Sequence, residues 1–331
     1  MNQKKLQQAK VAFEEYKRNK KEIIDNNLPL PGIKTQKAYY ALTGILLRAI
    51  TLFGGEHISY LNEKKIIAPK GRPIIFANTH KFKPDVEKIA ISIKLPSAII
   101  ASDFVNSYKT IGGWYFNTRP VVFIDPYSKE DKSYSYKMMV RYLKEGYNFM
   151  IYPEAVWNLS ENKIVLDIFF GTVKAALESN AIIVCTAIER YGKEYIINRK
   201  GYFDPVEILK KYTEKSFAEL SADSEKDCLV KKILTECNQK LRDIMATSTY
   251  EIWEDHANQF GIECRADLSV DYWEQFVLKL TSEWSGYKMS DNIEQRYHSK
   301  EEIAEEQMKA DLKKIRPTMR NAFLFNKRLK G

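Results

Sequence analysis

Short apolar runs alternate with helical patterns between residues 61 and 205, and this alternation predicts the fold. A run of β-branched and aromatic residues between turn residues predicts a strand, whereas apolar residues three and four positions apart predict a helix. The predicted strands are residues 74–77, 98–101, 121–124, 148–152, 181–187 and 195–197. The predicted helices between them are residues 86–93, 172–179 and 128–145, the last opened by a capping-box pattern at Ser128 and Asp131. This alternation indicates an α/β fold with a mixed, largely parallel sheet flanked by helices.

The segments on either side of this region have helical patterns. Residues 1–27 are highly charged and predict an exposed helix, which Pro29 and Pro31 end. After Pro205 the chain is charged, has almost no strand pattern and keeps a helical periodicity. We therefore divide the chain into an N-terminal helical segment at 1–60, an α/β domain at 61–205 and a helical C-terminal extension at 206–331.

Residues 39–53 are the most apolar stretch of the chain. A helix that spans a bilayer needs roughly 20 apolar residues, and this stretch is shorter and carries Arg48 near its middle. We expect an amphipathic helix with Ile45, Ala49 and Leu52 on its apolar side. Such a helix either packs on the protein's own core or lies in a membrane interface, and the pattern alone leaves both open.

The charge balance favours anionic partners. The 331 residues include 52 Lys and Arg against 43 Asp and Glu, which gives a formal net charge of +9. Phosphorylated metabolites, acidic lipid surfaces and nucleic acid all fit this charge. Because the chain has no recognised basic–aromatic motif, we do not expect nucleic acid as a partner.

The cysteines and the N-terminus bear on the expected compartment. The four cysteines have no C-x-x-C spacing, and no cluster of His, Cys and carboxylate residues has the spacing of metal ligands. We therefore expect neither a metal nor a disulfide framework. The N-terminus is rich in Gln and Lys and lacks the apolar core of a secretory signal, so a reducing, cytoplasmic setting is expected.

The candidate chemistry lies in residues 78–85, which join the first predicted strand to the next helix. His80 falls on the loop and Asp85 in the first helical turn, so their side chains are expected to meet across the bend. A carboxylate that accepts the proton of one imidazole nitrogen fixes the tautomer, and the other nitrogen then acts as a base. The alternative is that Asp85 only complements the helix dipole. Among the four histidines, His80 alone has an Asp at this spacing.

Glu154 belongs to the same expected site. It follows the fourth predicted strand through Pro153. Ligands gather at the carboxyl ends of the strands in sheets of this kind, so His80, Asp85 and Glu154 are expected on one rim. The alternative for Glu154 is a strand-end carboxylate in a salt bridge.

These residues resemble the motifs of the glycerolipid acyltransferase family, in particular its 1-acylglycerol-3-phosphate acyltransferase-like members. The stretch from His80 to Asp85 resembles the H-x4-D motif of that family. The other similar pieces, in the order in which the family has them, are 112–113 with 122–125, 149–154, 169–171 and 182–184. The resemblance covers roughly residues 36–205.

The chain departs from the family pattern at three places. Thr79 precedes His80 where the family usually has Asn, and Asn78 lies one position earlier. Asp125 follows the second motif strand where a phosphate-contacting basic residue is usual, and the candidates to replace that charge are Arg119, Lys129 and Lys132. Ala155 replaces the Gly of Pro-Glu-Gly. These departures concern the phosphate-bearing acceptor more than the chemistry.

The resemblance implies an acyltransferase that moves a fatty acyl group from an acyl thioester to a hydroxyl of a lysophospholipid-type acceptor. It implies that His80 is the general base and that Asp85 orients it. The residues expected to bind substrate are Asn78, Lys83, Arg119, Glu154 and Asn158, and Lys81 is a further candidate for a basic contact. The expected donor is acyl-CoA or an acyl carrier protein, which is a co-substrate, and no other cofactor is implied.

The resemblance also implies a peripheral position on the cytoplasmic side of a membrane, with an anionic membrane surface as a partner. Without membrane association the expected location is the cytoplasm. Two other functions remain open: a thioester or lipid hydrolase that uses the same residues on water, and a catalytically degenerate basic protein that binds membranes.

Overall fold

The structure is a computed structural model, and it describes residues 3–31, 36–62, 65–66, 68–81, 85–102, 104–110, 120–155, 158, 165–191 and 193–259. The strands are β1 (His57–Tyr60), β2 (Ile74–Asn78), β3 (Ser97–Ala101), β4 (Val121–Phe123), β5 (Asn148–Ile151), β6 (Ile182–Tyr191) and β7 (Glu194–Arg199). The helices are α1 (Gln3–Asp25), α2 (Gln36–Phe53), α3 (Asp85–Ile93), α4 (Phe104–Ser107), α5 (Lys129–Lys144), α6 (Gly171–Ser179), α7 (Pro205–Lys210), α8 (Phe217–Ser221) and α9 (Asp227–Gln259).

Seven strands form one sheet in the order β1-β7-β6-β2-β5-β3-β4. Neighbouring strands from β6 to β4 in this order are parallel. Strands β6 and β7 pair antiparallel as a hairpin, and β1 lies parallel to β7. The predicted mixed, largely parallel sheet flanked by helices is confirmed.

The apolar pattern of the sequence predicts neither strand β1 nor the second half of β6. β1 is a short edge strand of partly exposed residues, so it carries no continuous apolar run. In β6, residues 182–186 pair with β2, whereas residues 186–191 pair with β7. The half beyond β2 contains Glu189 and Arg190, and these charges end the apolar run at residue 187.

Helices cover both faces of the sheet. On one face, α5, α6 and α9 pack against a core that includes Ile75, Ala77 and Phe149. On the other face, α3 packs against a core that includes Ile74 and Phe76. Strand β2 lies at the centre and all five of its residues are buried. A strand that is covered on both faces needs apolar residues at successive positions. This requirement explains the continuous apolar run of β2, which leads to residue 78 at the carboxyl end of the strand.

Helix α1 lies along the edge strand β4. The Tyr16 hydroxyl donates to the carbonyl oxygen of Val121 at 2.9 Å and accepts from the Phe123 N–H at 3.0 Å. Lys20 Nζ donates to the carbonyl oxygen of Phe123 at 2.7 Å. Helix α1 thus pairs main-chain groups that an open sheet edge would leave to another strand. The expectation of an exposed helix over residues 1–27 is therefore wrong for this face.

Lys20 shows why composition did not predict this packing. Its side chain is 1% exposed, and Nζ lies 2.7 Å from the carboxylate of Asp131 and 2.7 Å from Ser135 Oγ. Burial lowers the pKa of the Lys20 ammonium, and the carboxylate opposes that shift. Asp131 also accepts from the Asp125 N–H at 2.7 Å. Ser128 caps α5 as predicted, but the carboxylate of Asp131 points to these partners and does not complete a capping box.

Helix α2 packs on α3 through one narrow face. Thr43, Leu47 and Thr51 are buried. Leu47 packs with Ile91 of α3, and Lys88 Nζ donates to Thr51 Oγ1 at 2.9 Å. These two contacts mean that α2 and α3 run in opposite directions. Among the α2 side chains from residue 42 onward, which are those that the structure describes, the exposed large apolar residues are Leu42, Ile45, Leu46, Ile50, Leu52 and Phe53.

Replacing the Tyr16 hydroxyl should weaken the edge of the sheet. Tyr16→Phe leaves the Val121 carbonyl and the Phe123 N–H without their side-chain partner, which should lower the free energy of unfolding by about 1–3 kcal/mol. The measurement is urea unfolding followed by circular dichroism. Tyr202→Phe, at an exposed tyrosine, is the matched control and should change stability by less than about 0.5 kcal/mol. Equal effects of the two substitutions would contradict the edge-pairing role of Tyr16.

Candidate active site

The loop after β2 is held against the neighbouring strand. The Thr79 N–H donates to the carbonyl oxygen of Thr186 at 3.1 Å, which continues the β2–β6 pairing by one residue. The Thr79 hydroxyl accepts from the Ile188 N–H at 3.1 Å. The chain therefore leaves the sheet at a fixed place, and His80 is the first residue beyond this pairing.

His80 and Asp85 meet across the loop. His80 Nδ1 lies 2.9 Å from Asp85 Oδ2. The same oxygen accepts from the Lys81 N–H at 2.8 Å. The Asp85 side chain is fully buried, whereas that of His80 is 18% exposed. A carboxylate in this place holds the proton on Nδ1 and puts the lone pair on Nε2, which is the arrangement that a general base needs.

Glu154 supports the main chain of this loop. Its carboxylate is buried and accepts from the His80 N–H at 3.1 Å and from the Leu166 N–H at 2.8 Å. Burial raises the pKa of Glu154, while the charge of Lys81 and these two N–H groups oppose the rise. The predicted rim of His80, Asp85 and Glu154 is thus present as a set of direct contacts. The contacts of Glu154 are to main-chain groups.

The carbonyl of His80 is held as firmly as its N–H. It accepts from the Asn158 N–H at 2.6 Å. Between Glu154 and Asn158, Ala155 has a φ of +58°, a conformation that favours glycine. Ala155 therefore takes a backbone conformation to which its side chain is less suited than glycine would be.

The other residues expected to bind substrate lie in different surroundings. Asn78 is buried, and its Nδ2 donates to the carbonyl oxygens of Phe76 at 3.0 Å and Ile151 at 3.2 Å. Both amide protons are therefore used inside the protein, one within β2 and the other to join β2 to β5. Asn158 is buried next to His80, while Lys83 and Arg119 lie outside the described residues.

Lys81 does not extend to the surface. Its side chain is 2% exposed, and Nζ lies 4.0 Å from Oε1 of Glu189 on β6, which is fully buried. The expectation that Lys81 offers a basic contact to an acceptor is therefore wrong for this arrangement. The buried carboxylate of Glu189 gives the buried ammonium a partner of opposite charge.

Two side chains beside the site were not indicated by the sequence. The Tyr152 ring lies over His80 with the ring centroids 4.4 Å apart. Glu189 lies beyond the predicted end of its strand. In the sequence, Glu189 is distinguished only as an acidic residue directly after an apolar run, and acidic residues are common at strand ends.

The second of the family-like pieces, residues 122–125, ends in an acidic residue, and this residue has a basic partner. Asp125 Oδ2 lies 3.3 Å from Lys17 Nζ, which α1 supplies. Lys129 and Lys132, two candidates for a substitute cation, are exposed at the start of α5. The basic group next to Asp125 is therefore Lys17 of the N-terminal helix α1. This helix lies outside the part of the chain that resembles the family.

The described residues contain no group of three or more His, Cys, Asp and Glu side chains placed to hold a metal ion. In the same part of the chain, no helix combines the length and apolar character needed to cross a bilayer. A groove of about 910 Å³ lies between α7 and α9, and its lining includes none of the site residues.

No protein-family model and no curated protein matches the chain. The fold resembles the solved structure of the 1-acyl-sn-glycerophosphate (LPA) acyltransferase PlsC from Thermotoga maritima, with 15% sequence identity and a TM-score of 0.42. The match covers 62% of this chain and 81% of that chain. At these values the likeness transfers no substrate and no residue role to this chain.

The buried carboxyl group of Glu154 should leave a signature in the pH dependence of stability. Because its pKa is raised above the ordinary 4.5, the folded protein binds this proton more tightly than the unfolded chain does. The contribution is fully present below that ordinary value and is lost as the pH rises through the raised pKa. The stability difference between wild type and Glu154→Gln, measured by urea unfolding at a series of pH values above 4.5, should therefore shift against the wild type as the pH rises through the raised pKa of Glu154. Parallel pH dependences for the two proteins would contradict it.

Proposed function

We propose that the protein is an acyltransferase that moves a fatty acyl group from a thioester to a hydroxyl group. The observation that carries this proposal is the 2.9 Å contact of His80 Nδ1 with buried Asp85, on a loop whose main chain is fixed from both sides. This arrangement supplies an oriented base at the carboxyl edge of a largely parallel sheet. Such an edge is the usual place for ligands in this class of fold.

The proposed reaction is a direct transfer. Nε2 of His80 removes the proton of the acceptor hydroxyl while the hydroxyl oxygen attacks the thioester carbonyl carbon. A carbon–oxygen bond forms, the carbon–sulfur bond breaks, and the departing thiolate takes the proton from the imidazolium. Asp85 accepts the Nδ1–H hydrogen bond and stabilises the imidazolium between these steps. A positioned base of this kind contributes typically ~10²–10⁴-fold to the rate.

The proposed donor is acyl-CoA or an acyl carrier protein. Both present a thioester beside phosphate groups, and the net charge of +9 favours their approach. The proposed acceptor is the hydroxyl of a lysophospholipid or a related lipid. Asn158, Lys83 and Arg119 stay proposed substrate contacts, and the contacts of Glu154 and Asn78 favour a supporting role for these two residues.

A lipid acceptor requires that the protein reach a membrane, and we propose that α2 does this. Its buried face is fixed on α3, and the apolar face opposite is exposed. Because α2 and α3 run antiparallel, the end of α2 at Phe53 lies toward the end of α3 that carries Asp85. A helix that lies in the interface in this way would place the site close to the lipid surface. The proposed location is peripheral, on the cytoplasmic side of a membrane.

Removing the base should abolish acyl transfer. His80→Ala should lower kcat/KM by about 10²–10⁴-fold. Asp85→Asn should lower it by at least about 10-fold, because a neutral amide can accept from Nδ1–H but has no negative charge to stabilise the imidazolium. The assay follows labelled acyl-CoA into lipid products by mass spectrometry over a panel of lysolipid and non-lipid hydroxyl acceptors.

The same assay separates the alternatives. Thioester cleavage that does not depend on any acceptor would favour a hydrolase. His80→Ala activity within twofold of wild type would contradict the proposed base. A wild type that neither transfers nor cleaves but binds anionic vesicles would favour a catalytically degenerate membrane-binding protein. His57→Ala, at a histidine on the sheet edge strand β1, is the matched control and should retain activity.

Acidic residues introduced on the exposed face of α2 should release the protein from membranes. Ile45→Glu combined with Phe53→Glu should reduce co-sedimentation with vesicles of phosphatidylcholine and phosphatidylglycerol at least about tenfold, because each carboxylate would have to enter an apolar interface. Val11→Glu, at an exposed apolar position of α1, is the control and should bind as wild type does. Unchanged sedimentation of the α2 variant would contradict the role of this helix.

A further inference from the structure

The Lys81–Glu189 pair lies next to the site but takes no part in the proposed chemistry. Both side chains are buried, at 2% and 0% exposure, and the charged atoms are 4.0 Å apart. Burying charge is unfavourable unless a partner offsets the lost hydration. An apolar pair would fill the same space without that cost, so the charges themselves call for an explanation.

Lys81 is connected to the site at both ends. Its main-chain N–H donates to the Asp85 oxygen that faces His80, at 2.8 Å. Its ammonium reaches Glu189 on β6, the strand that also holds Thr79 through its hydroxyl. One residue thus links the acid of the site to the strand that supports the loop.

Lys81 also acts on the carboxylate beneath the loop. Its positive charge opposes the effect of burial on Glu154, whose oxygens hold the His80 and Leu166 main chains. Among the described titratable and charged groups, Asp85 on α3 and Tyr152 after β5 contact the imidazole, Glu154 contacts the His80 N–H, Lys81 is the next residue of the loop, and Glu189 on β6 contacts Lys81.

We propose that Lys81 and Glu189 form a positioning pair, which anchors the His80 loop to β6 and balances the buried carboxylates around the imidazole. The catalytic consequence rests on the proposed function, whereas the anchoring and the charge balance do not. The pair acts through Asp85, Glu154 and the main chain of residues 79–81.

The charge balance predicts the direction in which the titration midpoint of His80 moves when either charge is removed. Without the Lys81 ammonium, the imidazole of His80 is surrounded by carboxylates and takes up a proton more readily, so its titration midpoint should move to higher pH. Without the Glu189 carboxylate, the ammonium is less balanced and the midpoint should move to lower pH. At separations of several ångströms in a partly buried site, each shift should be roughly 0.5–1 pH unit.

The test is an NMR titration of the His80 ring in Lys81→Met, Glu189→Gln and the double variant, with the signal assigned from its loss in His80→Gln. The single variants should move the midpoint in opposite directions, and the double variant should restore it to within about 0.2 pH unit. If the wild type proves to be an acyltransferase, the acid limb of its kcat/KM profile should move in the same way. The titration needs no activity, so failure of the proposed function and failure of this inference are separate results.

Lys20→Met is the matched control, because Lys20 is also a buried lysine paired with a buried carboxylate, at the far edge of the sheet. It should leave the His80 midpoint unchanged. If Lys81→Met does not fold, Lys81→Arg and the double variant decide the question, since the first keeps the charge and the second removes both. An unchanged midpoint in folded Lys81→Met, or in folded Glu189→Gln, would overturn the proposal. An equal shift in Lys20→Met would overturn it as well, as would failure of the double variant to restore the midpoint.

Discussion

Ala77 of β2 lies beside Ile151 of β5, and the site depends on this register. Because both strands end at the same level, the chain that leaves β2 and the chain that leaves β5 meet just beyond the sheet. Glu154 then reaches the His80 N–H, and Asn158 reaches the His80 carbonyl. A shift of one residue would turn each side chain to the other face of the sheet. The pairing of β2 with β5 therefore sets where the chain of His80 leaves the sheet, and the Glu154 side chain and the Asn158 N–H then hold the main chain of His80 in place.

The electrostatics of the site differ from those of the whole chain. The protein carries a net charge of +9, yet Asp85, Glu154 and Glu189 are all buried around one loop. Main-chain N–H groups stabilise two of these carboxylates, and a buried lysine lies beside the third. The negative groups thus belong to the framework of the site, and the basic character of the chain lies elsewhere. This separation fits the proposed reaction, in which an imidazole gains and loses a proton while a basic surface attracts the proposed anionic donor.

The sequence was sufficient for the parts of the fold that apolar periodicity controls. Strands buried on both faces, such as β2, have continuous apolar runs, and the contact of His80 with Asp85 follows from a short loop between a strand and a helix. It was insufficient where polar residues are buried with partners from distant parts of the chain. Lys20 and Lys81 are typical surface residues by composition, and their burial depends on Asp131 and Glu189, which lie 111 and 108 positions away. No local pattern contains that information.

The β6–β7 hairpin has a consequence for access to the site. Strand β6 pairs with the end of β2 at Thr186 and continues to Tyr191, five residues farther. At about 3.3 Å per residue this extension rises roughly 16 Å above the level at which β2 ends. It is braced by β7 and by Ile252 of α9, which packs on Ala187 and Ile196. The loop of His80 therefore has a stiff wall along one flank, and the acyl chain of the proposed donor would have to enter from another direction.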